Sequence, residues 1–175
     1  GALKAATTLP IDAHEAVFAD TDHDGDLDLL LLGDSGCRLF SNDGAGAFVD
    51  ITEQAQLTGT TAAHQALFSD FDNDRDIDFL VRSQDGLQLF TNNRDGTFAD
   101  IAADLQLAAI SAVGIAVEDF NQDSYMDVSS VSADGVLTLY TNEKGRVLAP
   151  HTLPGAASST RGLQAADFDN DGDFD

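Results

Sequence analysis

The chain has 175 residues, of which 43% are hydrophobic, and a formal net charge of −23 at pH 7. This hydrophobic content is sufficient for a packed core and argues against an intrinsically disordered chain. A surface this acidic repels nucleic-acid phosphates and anionic lipid headgroups, so neither is an expected partner. No apolar run approaches the roughly 18 residues of a membrane-spanning segment, so membrane insertion is not expected either.

The first predicted elements belong to one repeat unit. Residues 1–10 resemble the last strand of a preceding unit, and the first complete unit occupies 11–60. Within it, short apolar or alternating stretches are separated by Asp- and Gly-containing turns, a pattern typical of antiparallel hairpins. The four predicted strands of this unit include residues 16–19, 27–32, 37–42 and 47–52.

The same unit returns at 61–110 and, in looser form, at 111–158, and it opens once more at 159–175. Between its first two predicted strands, each copy carries an acidic window of nine residues. We call these windows the first to fourth loops: DTDHDGDLD (20–28), DFDNDRDID (70–78), DFNQDSYMD (119–127) and DFDNDGDFD (167–175). They hold 18 of the 31 acidic residues, so the acidity is concentrated in register with the repeat.

Four antiparallel strands in a repeat of about 50 residues are typical of a β-propeller blade. We therefore predict an all-β fold built of such blades, with 1–10 as the last strand of a preceding blade and 159–175 as the first strand and loop of a further one. Propellers usually close with four to eight blades. The chain is thus expected to form part of a propeller, completed by other blades of the same ring or by a partner chain.

The loops have the form D-x-[DN]-x-D-x-x-x-D. Side-chain oxygens at positions 1, 3, 5 and 9, with the main-chain carbonyl at position 7, form a hard oxygen shell that suits Ca²⁺ better than Mg²⁺. The expected cofactor is therefore Ca²⁺. The candidate ligands are Asp20, Asp22, Asp24, Asp26 and Asp28; Asp70, Asp72, Asp74, Asp76 and Asp78; Asp119, Asn121, Asp123, Tyr125 and Asp127; and Asp167, Asp169, Asp171, Asp173 and Asp175.

The four loops are not equivalent. Gly25 lies where a sharp turn is needed, whereas Arg75 and Ser124 replace it in the second and third loops, so the second site is expected to be weaker. The third loop has one charge fewer, and the fourth ends at its last ligand, which leaves its occupancy open. An EF-hand is excluded because its loop requires Glu at position 12. Those positions hold Leu31, Val81 and Ser130.

The acidic loops, followed by a segment such as LFTNNRDGTFADI, resemble the FG-GAP/VCBS repeat family, which includes integrin α-subunit propellers and many bacterial surface proteins. The resemblance covers nearly the whole chain. It implies a seven-bladed ring, calcium in the loop between the first two strands of each blade, and an extracellular, cell-surface or periplasmic location.

The expected function is a calcium-stabilised scaffold for adhesion or for binding a protein or glycan ligand. No catalytic arrangement is recognisable, so the segment is not expected to be an enzyme. Two alternatives remain open. The chain could be an accessory propeller of a secreted polysaccharide- or lipid-degrading enzyme, or a structural component of an envelope assembly.

Two further sets of residues recur in the repeat. His14 and His64 both lie six residues before a loop, where they could share a metal or ligand, although packing or hydrogen bonding at a strand edge is the favoured interpretation. An asparagine follows the third strand of each unit and is expected to stabilise a turn. These asparagines are Asn42, Asn92 and Asn142.

Overall fold

The structure is a computed structural model, and it describes residues 12–144, 148–153, 162–169, 171, 172 and 174. These residues form strands, turns and irregular segments, and none of them is helical. The twelve strands are β1 (Ala13–Ala19), β2 (Asp28–Gly33), β3 (Gly36–Asn42), β4 (Phe48–Asp50), β5 (Ala63–Ser69), β6 (Asp78–Ser83), β7 (Gly86–Asn92), β8 (Phe98–Asp100), β9 (Gly114–Glu118), β10 (Asp127–Val131), β11 (Leu137–Asn142) and β12 (Leu148–Leu153).

The strands form three four-stranded antiparallel sheets, in the orders β1-β2-β3-β4, β5-β6-β7-β8 and β9-β10-β11-β12. Each sheet is therefore a meander in which neighbours in sequence are neighbours in space. Gly86, which opens β7 after a tight turn, has a φ of 137° and lies directly against the main-chain carbonyl of Ala108. A larger residue would clash there, so glycine lets the hairpin and the next connecting segment approach each other closely.

The core lies between the sheets. All residues of β2 are buried, and β6 is buried except for one partly exposed position. Phe79 and Val81 pack against Leu30 and Leu32 of the first sheet, whereas Leu80, between them, belongs to the cluster shared with the third sheet. Because alternate side chains of a strand point to opposite faces, one apolar strand fills both interfaces. Each such side chain contributes about 1.5–3 kcal/mol when fully buried.

The first strands of the three sheets lie side by side, since β1 contacts β5 and β5 contacts β9. Short polar links join them. The Gln65 side chain donates to the Ile115 carbonyl at 3.1 Å and accepts from the Ile115 amide at 3.3 Å. The Nε2 of His14 lies 2.8 Å from the Ala63 carbonyl, and its ring stacks on His64 with centroids 5.5 Å apart. The favoured interpretation of these histidines, hydrogen bonding and packing, agrees with this arrangement.

The structure confirms the all-β fold and the blades of four antiparallel strands. The fourth strands predicted at 47–52 and 97–102 are shorter than expected. After β4 and β8 the chain coils into tight turns, in which Ala55 N bonds Ile51 O and Leu105 N bonds Ile101 O. The strand predicted at 1–10 lies outside the described residues. No described helix is long and apolar enough to cross a membrane.

Residues 159–175 were predicted to form the first strand and loop of a further blade, but residues 162–166, which precede the loop, form no strand in the structure. In each of the three sheets, the first strand pairs with the strand that follows its acidic loop.

Candidate metal centres

The first three loops connect the first and second strands of the three sheets, as predicted. Each loop curls through left-handed residues at its fourth and sixth positions. A left-handed turn is easy for glycine and strained for other residues, so Arg75 and Ser124 adopt the loop conformation at a cost that Gly25 avoids. The positive φ angles are 60° and 92° at His23 and Gly25, 63° and 78° at Asn73 and Arg75, and 59° and 72° at Gln122 and Ser124.

The aspartate at position 1 holds each loop in its curl. Asp20 accepts a hydrogen bond from the Gly25 amide at 3.1 Å, and Asp70 accepts from the Arg75 amide at 2.9 Å. In the fourth loop, Asp167 accepts from the Gly172 amide at 3.0 Å. The shared bond spans five residues and folds the loop back on its start, which directs the other carboxylates towards a common centre.

In three of the loops, three carboxylates come together with oxygens within 4.8 Å of one another. These groups are Asp20, Asp22 and Asp24; Asp70, Asp72 and Asp78; and Asp167, Asp169 and Asp171. The described residues of the third loop form no such group of three carboxylates. There Asn121 supplies an amide in place of a carboxylate, and it donates to Asp123 at 3.2 Å. Asp173 and Asp175 lie outside the described residues.

In the first loop, Oδ1 of Asp20 is buried and has no hydrogen-bond partner among the described residues. An unpaired buried carboxylate oxygen is costly, and a bound cation would remove that cost. The side chains that converge with it are the carboxylates of Asp22 and Asp24, and such oxygen ligands fit Ca²⁺.

The aspartate at position 9 is buried in each of the first three loops and has a structural role as well. Asp78 accepts hydrogen bonds from the Phe71 amide at 2.8 Å and from the Asn92 amide at 2.9 Å. Asp28 accepts the corresponding bonds from the main-chain amides of residues 21 and 42. Asp127 accepts them from the main-chain amides of residues 120 and 142. The carboxylate thus joins the start of its loop to the third strand. Only Asp78 also belongs to a carboxylate group of three.

The carboxylates of the loops repel one another, and burial adds to this cost. Burial, followed by the negative charges of Asp72 and Asp74, raises the pKa of Asp78 to about 6 against the lowering effect of the two amide hydrogen bonds. Burial, followed by the charge of Asp74, also raises the pKa of Asp72. In the first loop, burial and the neighbouring aspartates raise the pKa of Asp22. A divalent cation would reverse these effects.

The side chain at position 7 of the second loop is already engaged. Asp76 forms an ion pair with Arg94, from the turn between β7 and β8, and its carboxylate lies 2.9 Å from Nε2 of His23 in the first loop. These contacts involve the side chain alone, and the main-chain carbonyl stays the predicted ligand at this position. Arg94 and His23 were not identified from the sequence. The signal for Arg94 is weak, because the equivalent residue of the first unit is Gly44.

The comparisons with known proteins agree with the repeated loops. The profile of the FG-GAP-like repeat family matches this chain three times in succession, at residues 20–81, 70–129 and 119–175. The chain belongs to the FG-GAP-like repeat family. The three FG-GAP-like matches each begin at the start of a loop, so the family pattern includes the predicted metal ligands.

One similar solved structure comes from a study of the specific recognition of non-reducing terminal N-acetylglucosamine by an Agrocybe aegerita lectin. It has a TM-score of 0.51 and 19% sequence identity, and the match covers 79% of this chain. The match spans 38% of the length of the lectin chain, so the likeness concerns the fold alone. No curated protein matches the FG-GAP-like chain.

Proposed function

We propose that this chain is a calcium-stabilised β-propeller scaffold that works outside the cytoplasm and binds a protein or glycan ligand. The observation that carries the proposal is the first loop, where three carboxylates converge and one buried oxygen of Asp20 lacks a partner. Without a cation, these charges weaken the connection between the first two strands. With Ca²⁺ bound, the free energy of binding adds to the free energy of folding.

The chemistry of the loops supports the proposed extracytoplasmic location. Extracellular calcium modules bind with dissociation constants of roughly 10⁻⁴–10⁻³ M, which suits calcium-rich surroundings. The binding role follows from the propeller architecture, in which rigid sheets present loops to a partner. The N-acetylglucosamine recognised by the similar lectin makes a glycan a reasonable first ligand class to test. We infer binding rather than catalysis, because the clustered carboxylates are engaged as loop acceptors and candidate ligands.

The proposal is tested by thermal unfolding in millimolar calcium, in millimolar magnesium and in excess EDTA. We expect calcium to raise the melting temperature by several degrees, and magnesium to have a much smaller effect because it retains its waters. Equal melting temperatures in calcium and EDTA would refute the structural role of calcium. Screening the calcium-loaded protein on a glycan array, with the EDTA-treated protein as control, tests the ligand class separately.

A further inference from the structure

Arg82 departs from the repeat at a position that is otherwise apolar. It lies four residues after Asp78 in β6, and the equivalent residues of the other two sheets are Leu32 and Val131. Both of those side chains are fully buried. A guanidinium in a strand of this kind loses much of its hydration, and burial accordingly lowers the pKa of Arg82.

Arg82 has no ion-pair partner among the described residues. The Nε of Arg82 is buried and has no hydrogen-bond partner among the described residues, and no described carboxylate lies within 4.0 Å to form an ion pair. Glu15 is close enough for its charge to be felt by Arg82, although the pair is not in contact. A partly buried, unpaired charge destabilises a fold, so packing alone does not explain Arg82.

Arg82 lines a cleft of about 550 Å³ beside the first strands of the sheets. Glu15, His64 and Gln65 contribute to the same cleft, and residues 162–164 form another part of its wall. This volume suits a small ligand. Both polar groups of the Gln65 side chain are already bonded to Ile115. A ligand would therefore meet the three titratable side chains of Arg82, His64 and Glu15, together with Gln164.

The three side chains define the chemistry of such a ligand. The planar guanidinium of Arg82 matches the two oxygens of a carboxylate. Burial lowers the pKa of His64, as do the nearby Arg82 and His14, which favours the neutral imidazole with one N–H to donate. Glu15 and the net charge of −23 disfavour a doubly charged phosphate more strongly than a singly charged carboxylate.

We propose that the cleft binds a small polar molecule through its carboxylate, which pairs with the guanidinium of Arg82. The stacked ring of His14 holds His64 in place beside that carboxylate. This site is separate from the calcium loops. The inference does not depend on the proposed scaffold function, and either can fail without the other.

The experiment compares D-glucuronate with D-glucose, which lacks the carboxylate, by ¹H–¹⁵N NMR titration of the calcium-loaded protein. We expect glucuronate alone to shift the amides of the cleft, including those of residues 64, 65 and 82. Arg82→Leu introduces the residue that the first sheet carries at this position. This variant should lose at least about tenfold in glucuronate affinity without a lower melting temperature, since it removes an unpaired charge.

Two conservative variants sharpen the test. Arg82→Lys keeps the charge but cannot form a bidentate pair with a carboxylate, so the affinity for glucuronate should fall several-fold. Glu15→Gln introduces the residue found at the equivalent position of the second sheet and should tighten binding roughly threefold, because a like charge is removed. The proposal is overturned if glucose shifts the same amides equally, if Arg82→Leu binds glucuronate as well as the native protein does, or if Arg82→Leu unfolds several degrees earlier.

Discussion

The side-chain amide of Asn92 donates a hydrogen bond of 2.9 Å to the main-chain carbonyl of Thr21, in the first loop of the preceding sheet. Asn142 repeats the relationship one sheet further on, with a bond of 2.8 Å to the carbonyl of Phe71. The oxygen of Asn92 also accepts from the Arg94 amide, which confirms the predicted turn-stabilising role of this residue. Asn92 and Asn142 therefore each join the end of a third strand to the acidic loop of the preceding sheet.

This relationship predicts that Asn92→Ala destabilises the protein by about 1–3 kcal/mol, because a buried carbonyl loses its partner. Asn42→Ala is the matched control. Among the described residues, the side-chain NH₂ of Asn42 donates only to the carbonyl of Leu27, which belongs to the same repeat unit. Urea denaturation in calcium should show the larger loss for Asn92→Ala. Equal losses would mean that the bond between the sheets contributes little to stability.

Changing Asp22 and Asp24 together to alanine should abolish calcium binding in the first loop and leave the other loops unaffected. The reason is local, because these two side chains belong to a single carboxylate group. Calcium titration followed by NMR can separate the loops, with the Gly25 amide reporting on the first and the Gly172 amide on the fourth. Asp104→Ala, which removes an exposed acid outside the loops, is the control for lost charge. Loss of the calcium response at both glycines would contradict independent loops.

The stability of the metal-free protein should depend on the protonation of Asp78. Its pKa in the folded state, about 6, is above the ordinary value of 3.8, so protonation favours the folded state. This contribution is fully present below about pH 4 and is lost as the pH rises through 6. In EDTA, the protein should therefore melt at a higher temperature at pH 5 than at pH 7.5, with a free-energy difference of at most about 3 kcal/mol.

The same titration weakens calcium binding at low pH, because protons and the cation compete for one carboxylate. Asp78→Asn is the informative variant, since it keeps the size of the side chain and an acceptor oxygen but cannot titrate. The melting temperature of this variant in EDTA should change less between pH 5 and 7.5 than that of the native protein. A slope as steep as that of the native protein would assign the pH dependence to other groups.

Arg75→Gly should stabilise the calcium-loaded second loop by about 1 kcal/mol. Arg75 has a φ of 78°, a conformation that costs an L-residue about 1–2 kcal/mol and glycine almost nothing. Arg75→Ala separates the two effects of the change, because it removes the charge and keeps the backbone cost. Calcium titration calorimetry should show tighter binding for the glycine variant than for the alanine variant. Identical affinities in the two variants would show that the charge, and not the backbone, determines the effect.

The local features of this protein were predictable from the sequence. The aspartates of each loop lie within nine residues, so their spacing alone indicated the curl that Asp20 and Asp70 stabilise. The strands of each sheet follow one another through short turns, and the repeat therefore predicted the meander. The lengths of β4 and β8 were overestimated, because an apolar pattern does not show where a chain leaves a sheet to form a tight turn.

The contacts between the sheets could be seen only in the tertiary structure. The bond from Asn92 to Thr21, the contact of Asp76 with His23, and the position of Arg82, whose Nε has no partner among the described residues, all depend on where separate repeats come to lie against one another. Spacing along the chain specifies contacts within a unit, because short segments have few alternative conformations. Contacts between units depend on the packing angle and register of whole sheets, which are determined by the buried apolar side chains acting together.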